Sequence, residues 1–375
     1  MIYLDCAATT LQKPCSVAEA MAWSVKHLAS PGRGGHYPAM EAGNMVFQCR
    51  QAAADLFQVK TPEQVVFTSN ATHGLNIAIK TLVKPGDVVL VSGYEHNAVT
   101  RPLSAIPNVV LKVVFTPLFR SDLFLDEFKR QLTNDVSVVV CTYVSNVFGF
   151  MLPIREIADL CRVKGISFIL DASQAAGCLP IQFEELGADF VAFPGHKGLY
   201  GPQGTGILLC KGETQPLLQG GTGSVSLRQE MPDFLPDRLE AGTHNVPGIA
   251  GLLEGIRFIR KTGEKEIFSH EQKLISRVVE NLWKIPGIRV YVDQNMRNQS
   301  GVCSFYCDKM DCEELGAELG KRGIAVRAGL HCAPFAHKTA GTLGTGTVRV
   351  SVSAFNNESE IDFFTEELRE IIRKK

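Results

Sequence analysis

The stretch Asp189-Phe-Val-Ala-Phe-Pro-Gly-His-Lys-Gly-Leu-Tyr-Gly-Pro-Gln-Gly-Thr-Gly206 indicates how this chain folds. Its apolar residues 190–193 form a short predicted strand, which Pro194 and Gly195 end. The strand therefore delivers Lys197 into a glycine-rich loop. A lysine at the end of a buried strand loses part of its hydration, which lowers the amine pKa and makes it a nucleophile able to form an imine. A surface lysine in a glycine-rich turn is an equally good interpretation of this stretch by itself.

Around this stretch, apolar strands alternate with amphipathic helices from residue 64 onward. Such alternation is typical of an α/β domain in which helices cover a mostly parallel sheet. Ligands of such sheets bind at the carboxyl ends of the strands, so the polar residues found there are the candidate site residues. The seven predicted strands are 64–68, 88–91, 109–115, 136–142, 166–170, 190–193 and 207–210.

The chain has 375 residues, too many for one ordinary core. After Pro247 the pattern predicts a smaller α+β unit with strands at 288–292, 302–306, 324–327 and 348–353. Its last helix begins with a capping-box pattern, Asn357-Glu-Ser-Glu360. We predict a large domain over residues 15–250 and a small domain formed by residues 1–14 and 251–375.

The composition argues against several classes of protein. It is 45% hydrophobic and 21% charged with a net charge of −1, which gives no support for nucleic acid or an anionic membrane as a partner. Asp5 precedes any apolar stretch, and no run of about 18 apolar residues occurs, so neither a signal peptide nor a transmembrane helix is predicted. We therefore expect a cytoplasmic protein.

Eleven cysteines are scattered along the sequence, mostly within apolar patterns. Without a secretory signal, such scatter favours reduced thiols over a disulfide framework. Cys303, Cys307 and Cys312 are closely spaced, but the segment 300–306 alternates like a strand and no histidine joins them. We expect no metal site.

Polar residues follow several of the predicted strands. Ala71 and Thr72 begin a predicted helix whose free backbone N–H groups can bind a phosphate, although a helix cap by Asn70 explains the same residues. His96 can stack on a flat ring and can also transfer protons. Asn146 can hydrogen-bond a substrate or a ring hydroxyl. A structural histidine and a turn asparagine remain the alternatives for these last two.

Asp171 ends an almost wholly apolar strand. A carboxylate that emerges from a core is costly unless it meets a cation or a strong donor, and a pyridinium N–H would be such a partner. Asp171 and Lys197, at the ends of neighbouring predicted strands, are matched to the nitrogen and the aldehyde of a pyridoxal cofactor. Together the two residues are far more specific than either is alone.

Four segments resemble the class V aminotransferase superfamily of fold-type I pyridoxal phosphate enzymes, and cysteine desulfurases in particular. They are YLDCAATT from Tyr3, DASQ from Asp171, GHKGLYGPQGTG from Gly195 and EAGTHN from Glu240. Matching segments run in a consistent order from residue 3 to residue 356. The resemblance implies the fold-type I architecture and pyridoxal 5'-phosphate as the cofactor.

The resemblance also implies roles for individual residues. Lys197 would form the imine with the cofactor, Asp171 would pair with the pyridine nitrogen, and His96 would stack on the ring. Gln174 would face the ring hydroxyl, and Asn146 the substrate or the ring side. The expected phosphate ligands are Ala71, Thr72 and His196.

Two further positions bear on the phosphate. Thr243 matches the position that reaches the phosphate from the partner subunit, so the resemblance implies a homodimer with shared sites. Pro194 stands where the family often has a serine, which removes one expected phosphate hydrogen bond.

Two features of the predicted small domain reduce the number of reactions that the site could catalyse. Arg349 lies in an apolar strand, where a substrate α-carboxylate is a natural bidentate partner and a structural salt bridge is the alternative. Cys332 lies in a loop that follows a predicted strand, and the nearby Arg327 and His331 are expected to favour its thiolate. The segment Arg327-Ala-Gly-Leu-His-Cys332 resembles the R-x-G-x-x-C pattern of the short-cysteine-loop group, which is related to selenocysteine lyases and sulfur-mobilising desulfurases.

The resemblance therefore predicts a desulfurase that converts L-cysteine to L-alanine. Arg349 and Asn146 would hold the substrate, Lys197 and His96 would move protons, and Cys332 would take the sulfur as a persulfide. A selenocysteine lyase acting on L-selenocysteine and a class V aminotransferase would use the same lysine and arginine, and both remain alternatives. A non-catalytic scaffold for iron–sulfur cluster assembly is a further alternative, although it would need none of these reactive residues. The persulfide must pass to an acceptor protein or small thiol that the sequence does not identify.

Overall fold

The computed structural model describes residues 1–32 and 34–375. Within these ranges the chain forms thirteen strands and twelve α-helices. The strands are β1 (Ile2–Tyr3), β2 (Val65–Thr68), β3 (Val88–Ser92), β4 (Val110–Val114), β5 (Val136–Thr142), β6 (Ser167–Asp171), β7 (Phe190–Pro194), β8 (Gly206–Cys210), β9 (Ile288–Tyr291), β10 (Val302–Cys307), β11 (Ile324–Ala325), β12 (Arg327–Gly329) and β13 (Thr347–Ser351). The helices are α1 (Cys15–His27), α2 (Tyr37–Phe57), α3 (Ala71–Leu82), α4 (Asn97–Ser104), α5 (Ser121–Gln131), α6 (Ile154–Lys164), α7 (Phe183–Leu186), α8 (Val246–Thr262), α9 (Glu264–Leu282), α10 (Cys312–Lys321), α11 (Pro334–Ala340) and α12 (Glu358–Arg373).

The large sheet has seven strands in the order β2-β8-β7-β6-β5-β3-β4. Strand β8 runs antiparallel to β2 and β7, and the other neighbouring pairs are parallel. Side chains along β5 alternate between two hydrophobic clusters: Val139 and Cys141 belong to one, Val138 and Val140 to the other. Both faces of the sheet are therefore buried, which is why its strands are nearly continuous apolar runs. The predicted mostly parallel, seven-stranded sheet is confirmed.

A second sheet has four antiparallel strands in the order β12-β13-β10-β9. The strand predicted at 324–327 is wrong as a single element. Ile324 pairs with Ile2 of β1 in a separate parallel pair, whereas Arg327 pairs with Arg349 of β13. The chain changes partners between the two segments because the N-terminal strand, distant in sequence, occupies the edge next to β11.

Helix α12 begins with the predicted capping box. Asn357 accepts a hydrogen bond from the Glu360 backbone, and the Glu360 side chain accepts one from the Asn357 backbone. The core face of this helix packs into a hydrophobic cluster that also includes Leu4, next to the N-terminal strand.

A buried ion pair ties α2 to the segment before α8. Arg50 donates to both carboxylate oxygens of Glu240, at 2.9 Å and 2.8 Å, and the Phe67 N–H donates to Glu240 Oε1 at 2.6 Å. Both side chains of the pair are almost fully buried. Helix α2 and strand β2, which are close together in the sequence, are thus held to a segment that is distant from both.

No described helix combines the length and the apolar character that a membrane crossing requires. Within residues 1–32 and 34–375, no cluster of histidine, cysteine and acidic side chains is arranged to hold a metal ion. All eleven cysteines are free thiols; nine are buried, and Cys15 and Cys332 are exposed.

Candidate active site

A cavity of about 230 Å³ lies at the carboxyl edge of the large sheet. Parallel pairing brings Asp171, the last residue of β6, opposite Ala192 of β7, three residues before the loop that carries His196 and Lys197. The order of the strands thus brings together side chains that are far apart in the sequence. Eight of the predicted site residues line the cavity: Ala71, Thr72, His96, Asn146, Asp171, Gln174, His196 and Lys197.

Asp171 is buried, with 3% of its surface exposed. Its Oδ1 accepts hydrogen bonds from the backbone N–H and the hydroxyl of Ser173, at 2.9 Å and 2.5 Å. Among the described residues no hydrogen bond reaches Oδ2. The carboxylate therefore has one oxygen fixed by its own turn and one oxygen left for a ligand.

Lys197 is half-buried and lines the same cavity. Burial lowers the pKa of its amine to about 8, and the charge of Asp171 opposes this shift. Within the described part of the chain, Nζ has no hydrogen-bond partner. A substantial fraction of this amine is therefore neutral, and nucleophilic, near neutral pH.

The turns that carry Asp171 and Lys197 touch backbone to backbone. A Cβ atom added at Gly177 would collide with the carbonyl of Gly198, and one at Gly198 would collide with the carbonyl of Ala176. Gly177 also has a φ of +93°, in the region that favours glycine. Glycine at both positions lets the two turns approach and sets the carboxylate and the amine on one cavity.

His96 precedes α4 and lines the cavity. Its Nδ1 accepts a hydrogen bond from the Ala98 N–H at 3.0 Å. Burial lowers the pKa of the imidazole, the charge of Asp171 opposes the shift, and the charge of Lys197 adds to it. The ring is therefore neutral at neutral pH, with its proton on Nε2.

Helix α3 begins at the cavity. Asn70 Oδ1 accepts a hydrogen bond from the His73 N–H at 2.9 Å, so the helix cap weighed from the sequence is present. The N–H groups of Ala71 and Thr72 have no partner within the helix because they belong to its first turn. These donors and the positive end of the helix dipole suit an anion.

His196 adds a further polar atom to this anion site. Its Nδ1 is buried and has no hydrogen-bond partner among the described residues. Burial, together with the charges of Lys197 and Lys13, lowers the pKa of this histidine to about 4. The ring is therefore neutral, and one N–H is available as a donor without a charge.

Asn146 and Gln174 connect the cavity to more distant segments. Asn146 Nδ2 donates to the His331 carbonyl at 2.9 Å, and Gln174 Nε2 donates to the Ala7 carbonyl at 2.9 Å. Because both amide nitrogens are engaged, the side-chain carbonyl oxygens remain as acceptors for a ligand.

Arg349 lies on β13 and does not line the cavity. It is 2% exposed, and its Nη1 donates to the Asn146 carbonyl at 2.9 Å. Its Nη2 forms a salt bridge of 2.7 Å with Asp5 Oδ1. The structural salt bridge considered from the sequence is therefore present, and the backbone of Asn146 links it to the cavity.

Cys332 is exposed, and its carbonyl accepts a hydrogen bond of 2.7 Å from the Asn97 N–H, next to His96. The expectation that His331 favours the thiolate is wrong. His331 is buried, and burial and the charge of Arg349 hold its pKa well below the usual range, so it carries no positive charge. The guanidinium of Arg327 is paired with Asp5 at 2.8 Å.

Thr243 does not line the cavity that contains Lys197. It is exposed and lines a second pocket, of about 210 Å³, together with Ser69, His73 and His244. This chain alone does not bring Thr243 to the cavity of Lys197.

Sequence reasoning missed Asp5, which contacts both Arg327 and Arg349. The available signal was a carboxylate that directly follows the apolar segment Ile2-Tyr-Leu4, because an acid at such a position needs a partner.

Comparison with known proteins identifies the family. The model of the family described as aminotransferase class-V matches residues 2–364. The probable cysteine desulfurase of Methanothermobacter thermautotrophicus is 33% identical, over 99% of this chain and 94% of that protein. The probable cysteine desulfurase of Mycolicibacterium paratuberculosis is 32% identical over 99% of this chain, which spans 55% of that longer protein.

A solved structure agrees with these relatives. The apo structure of cysteine desulfurase from Thermococcus onnurineus NA1 has a TM-score of 0.91 and 30% identity, covering 100% of this chain and 95% of that one. This chain therefore belongs to the class V aminotransferase family and, within it, to the pyridoxal phosphate-dependent cysteine desulfurases.

Proposed function

We propose that this chain converts L-cysteine to L-alanine and takes the sulfur onto Cys332 as a persulfide. The observation that supports this most is the link between an exposed thiol and the cavity. The Asn97 N–H holds the carbonyl of Cys332 at 2.7 Å, and the neighbouring His96 lines the cavity with Asp171 and Lys197. This hydrogen bond fixes the backbone of Cys332 beside the segment that carries His96, which places an exposed thiol near the cavity.

Pyridoxal 5'-phosphate is the cofactor of this family, and the cavity residues fit it. The phosphate would be held by the first N–H groups of α3, by Thr72 and by His196, whose buried Nδ1 lacks a protein partner among the described residues. The free oxygen of Asp171 would hold the pyridine nitrogen, and Lys197 the aldehyde. When bound, the cofactor supplies an electron sink that makes the α-proton of an amino acid acidic.

The chain's own residues then bind the substrate and move its protons. Arg349, whose Nη1 donates to the backbone carbonyl of Asn146, would hold the α-carboxylate. The side-chain carbonyl of Asn146, which lines the cavity, would accept a hydrogen bond from the amino group. Lys197 would take the α-proton at Nζ, since its lowered pKa leaves part of the amine neutral. His96 would donate or accept a proton at Nε2, the nitrogen that its hydrogen bond with Ala98 leaves free.

Sulfur transfer is the step assigned to Cys332. Its thiolate forms a bond to the substrate sulfur while the bond from that sulfur to the substrate β-carbon breaks. The electron pair of the broken bond remains with the carbon, which is then protonated, so the products are L-alanine and a persulfide on Cys332. The exposed position of this cysteine suits onward transfer to a protein or small-thiol acceptor.

A homodimer would complete the phosphate site. Thr243 is exposed and lies in a different pocket from Lys197 of the same chain, which leaves it available to a second copy. Helices α1 and α2 expose large apolar side chains that a second copy would cover: Trp23, Tyr37, Met40 and Phe47 are between 43% and 69% exposed.

A reducing compartment such as the cytoplasm would suit this enzyme. All eleven cysteines are free thiols, and a persulfide is handed on by thiol exchange.

Replacing Cys332 by alanine tests the proposal, with Cys15→Ala as the matched control because Cys15 is the other exposed cysteine. We expect Cys332→Ala to retain the visible absorption of the bound cofactor and to lose formation of alanine and sulfide from L-cysteine. Cys15→Ala should behave as the wild type. Alanine, sulfide and pyruvate are measured together on the same samples.

Unchanged alanine and sulfide production in Cys332→Ala would rule out the persulfide step. Production of an oxo acid from L-cysteine, balanced by amination of a second oxo acid, would instead identify a transaminase. A wild type that releases selenium from L-selenocysteine but forms neither alanine nor sulfide from L-cysteine would instead identify a selenocysteine lyase.

A further inference from the structure

A carboxylate of the chain itself pairs with the arginine proposed to bind the substrate. Asp5 follows β1 and is 6% exposed. Its Oδ1 lies 2.7 Å from Arg349 Nη2, and its Oδ2 lies 2.8 Å from Arg327 Nη2. Arg327 Nε also donates to both oxygens, at 3.2 Å and 3.0 Å. One buried carboxylate therefore bridges two guanidinium groups.

The two arginines need this anion because of the strand register. Arg327 of β12 and Arg349 of β13 are directly opposite each other in an antiparallel pair. Like charges at such positions repel, since both side chains lie on the same face of the sheet. The Arg349 side chain is only 3% exposed, so water does little to screen its charge.

Arg349 still has donors to offer. Nη1 donates to the Asn146 carbonyl and Nη2 to Asp5, but Nε is buried and has no partner among the described residues. The edge formed by Nε and Nη2 is one of the two edges of a guanidinium that bind a carboxylate bidentately. A ligand carboxylate at this edge would lie beside Asp5, so that two anions share one cation.

We propose that Asp5 is a positioning residue, the internal anion of the carboxylate site. It holds Arg327 and Arg349 as a charge-balanced group when no substrate is bound, and it limits how tightly carboxylate ligands, the product alanine included, bind. The inference rests on the proposed function, because it takes Arg349 as the group that binds the substrate carboxylate. Without the charge of Asp5, a ligand carboxylate becomes the counter-ion of two otherwise uncompensated cations.

The test compares Asp5→Asn with the wild-type holoenzyme. Three ligands separate the contributions: L-alanine, propionate, which lacks the amino group, and ethylamine, which lacks the carboxylate. Binding is followed by thermal shift for all three and by cofactor absorption for the two amines. We expect a lower Tm for the ligand-free variant, at least about tenfold tighter binding of L-alanine and propionate, and unchanged binding of ethylamine.

Asp362→Asn is the matched control. Asp362 also accepts two hydrogen bonds from an arginine, Arg277, at 2.7 Å each, but it lies on α12 and is 41% exposed. Its replacement should alter the affinity for none of the three ligands.

A charge-balanced double variant, Asp5→Asn with Arg327→Gln, covers the case in which Asp5→Asn alone fails to fold. It removes one cation with the anion, so it should regain stability, and it should still bind L-alanine more tightly than the wild type.

Three results would overturn the inference. The first is unchanged or weaker binding of L-alanine and propionate in the variants, which would overturn the role of Asp5. If the wild type binds L-alanine more tightly than ethylamine, the role of Arg349 would stand. Weakening of all three ligands alike would show a purely structural role for Asp5. A wild type that binds L-alanine no better than ethylamine would overturn the role of Arg349 as well.

Discussion

The rate at which the apoenzyme captures pyridoxal 5'-phosphate should follow the ionisation of Lys197. Only the neutral amine attacks an aldehyde. Burial lowers the pKa of Lys197 from 10.5 to about 8, whereas the charge of Asp171 raises it and that of Arg349 lowers it. Capture should therefore accelerate about tenfold per pH unit below pH 8 and level off above it.

The size of the effect at neutral pH follows from the pKa. With a pKa of about 8, about one lysine in eleven is neutral at pH 7, whereas an ordinary lysine is neutral in about one molecule in three thousand. At pH 7 Lys197 therefore offers roughly 300 times as much neutral amine as an exposed lysine does, and covalent capture should be faster in proportion.

Stopped-flow absorption measures this rate when apoenzyme is mixed with the cofactor between about pH 6 and pH 9.5, a range that spans the expected midpoint. Lys197→Ala should show no covalent capture, and Lys80→Ala, which changes an exposed lysine on α3, should match the wild type. Asp171→Asn removes the charge that raises the pKa of Lys197, so its midpoint should move to lower pH.

A midpoint near that of an ordinary lysine in the wild type would refute the conclusion that burial dominates at Lys197. A midpoint that rises in Asp171→Asn would contradict the assigned sign of the interaction between the two groups.

Two further predictions concern stability and assembly. Glu240→Gln should lower the free energy of unfolding by about 3 kcal/mol, because it leaves the buried Arg50 without its counter-charge. Urea denaturation measures this change, and Asp55→Asn, at an exposed ion pair with Arg260, is the control. A loss of stability in Glu240→Gln as small as that in Asp55→Asn would contradict the reasoning. Thr243→Ala should weaken the affinity for pyridoxal 5'-phosphate by about tenfold, because one hydrogen bond to a charged group is lost. Light scattering should still give the mass of a dimer for this variant. An unaltered cofactor affinity in a confirmed dimer would refute a shared phosphate site.

The sequence determined the main architecture because its signals there are local. Continuous apolar runs such as 136–142 and 190–193 specify buried strands, and parallel strands bring their carboxyl ends to one edge. Asp171 and Lys197 could therefore be paired from the sequence, and both line the observed cavity. The capping box at Asn357 could be predicted for the same reason, because all of its atoms lie within one helical turn.

The resemblance to a family also assigned residues that the sequence pattern alone left with more than one interpretation. It predicted that His96, Asn146, Gln174 and His196 share a site, and all four line the cavity with Asp171 and Lys197. Their chemical roles remain predictions, which the variants described above can test.

The tertiary structure decided the features that depend on contacts between distant segments. Asp5 meets Arg349 across 344 positions of sequence, and no local pattern encodes such a pairing. His331 looked like a cation beside Cys332, but burial keeps it neutral. The segment 324–327 divides between two sheets because β1 pairs with part of it. Strand periodicity and helix caps are properties of neighbouring residues, whereas charge state and ion pairing depend on burial and on which distant segments the fold brings into contact.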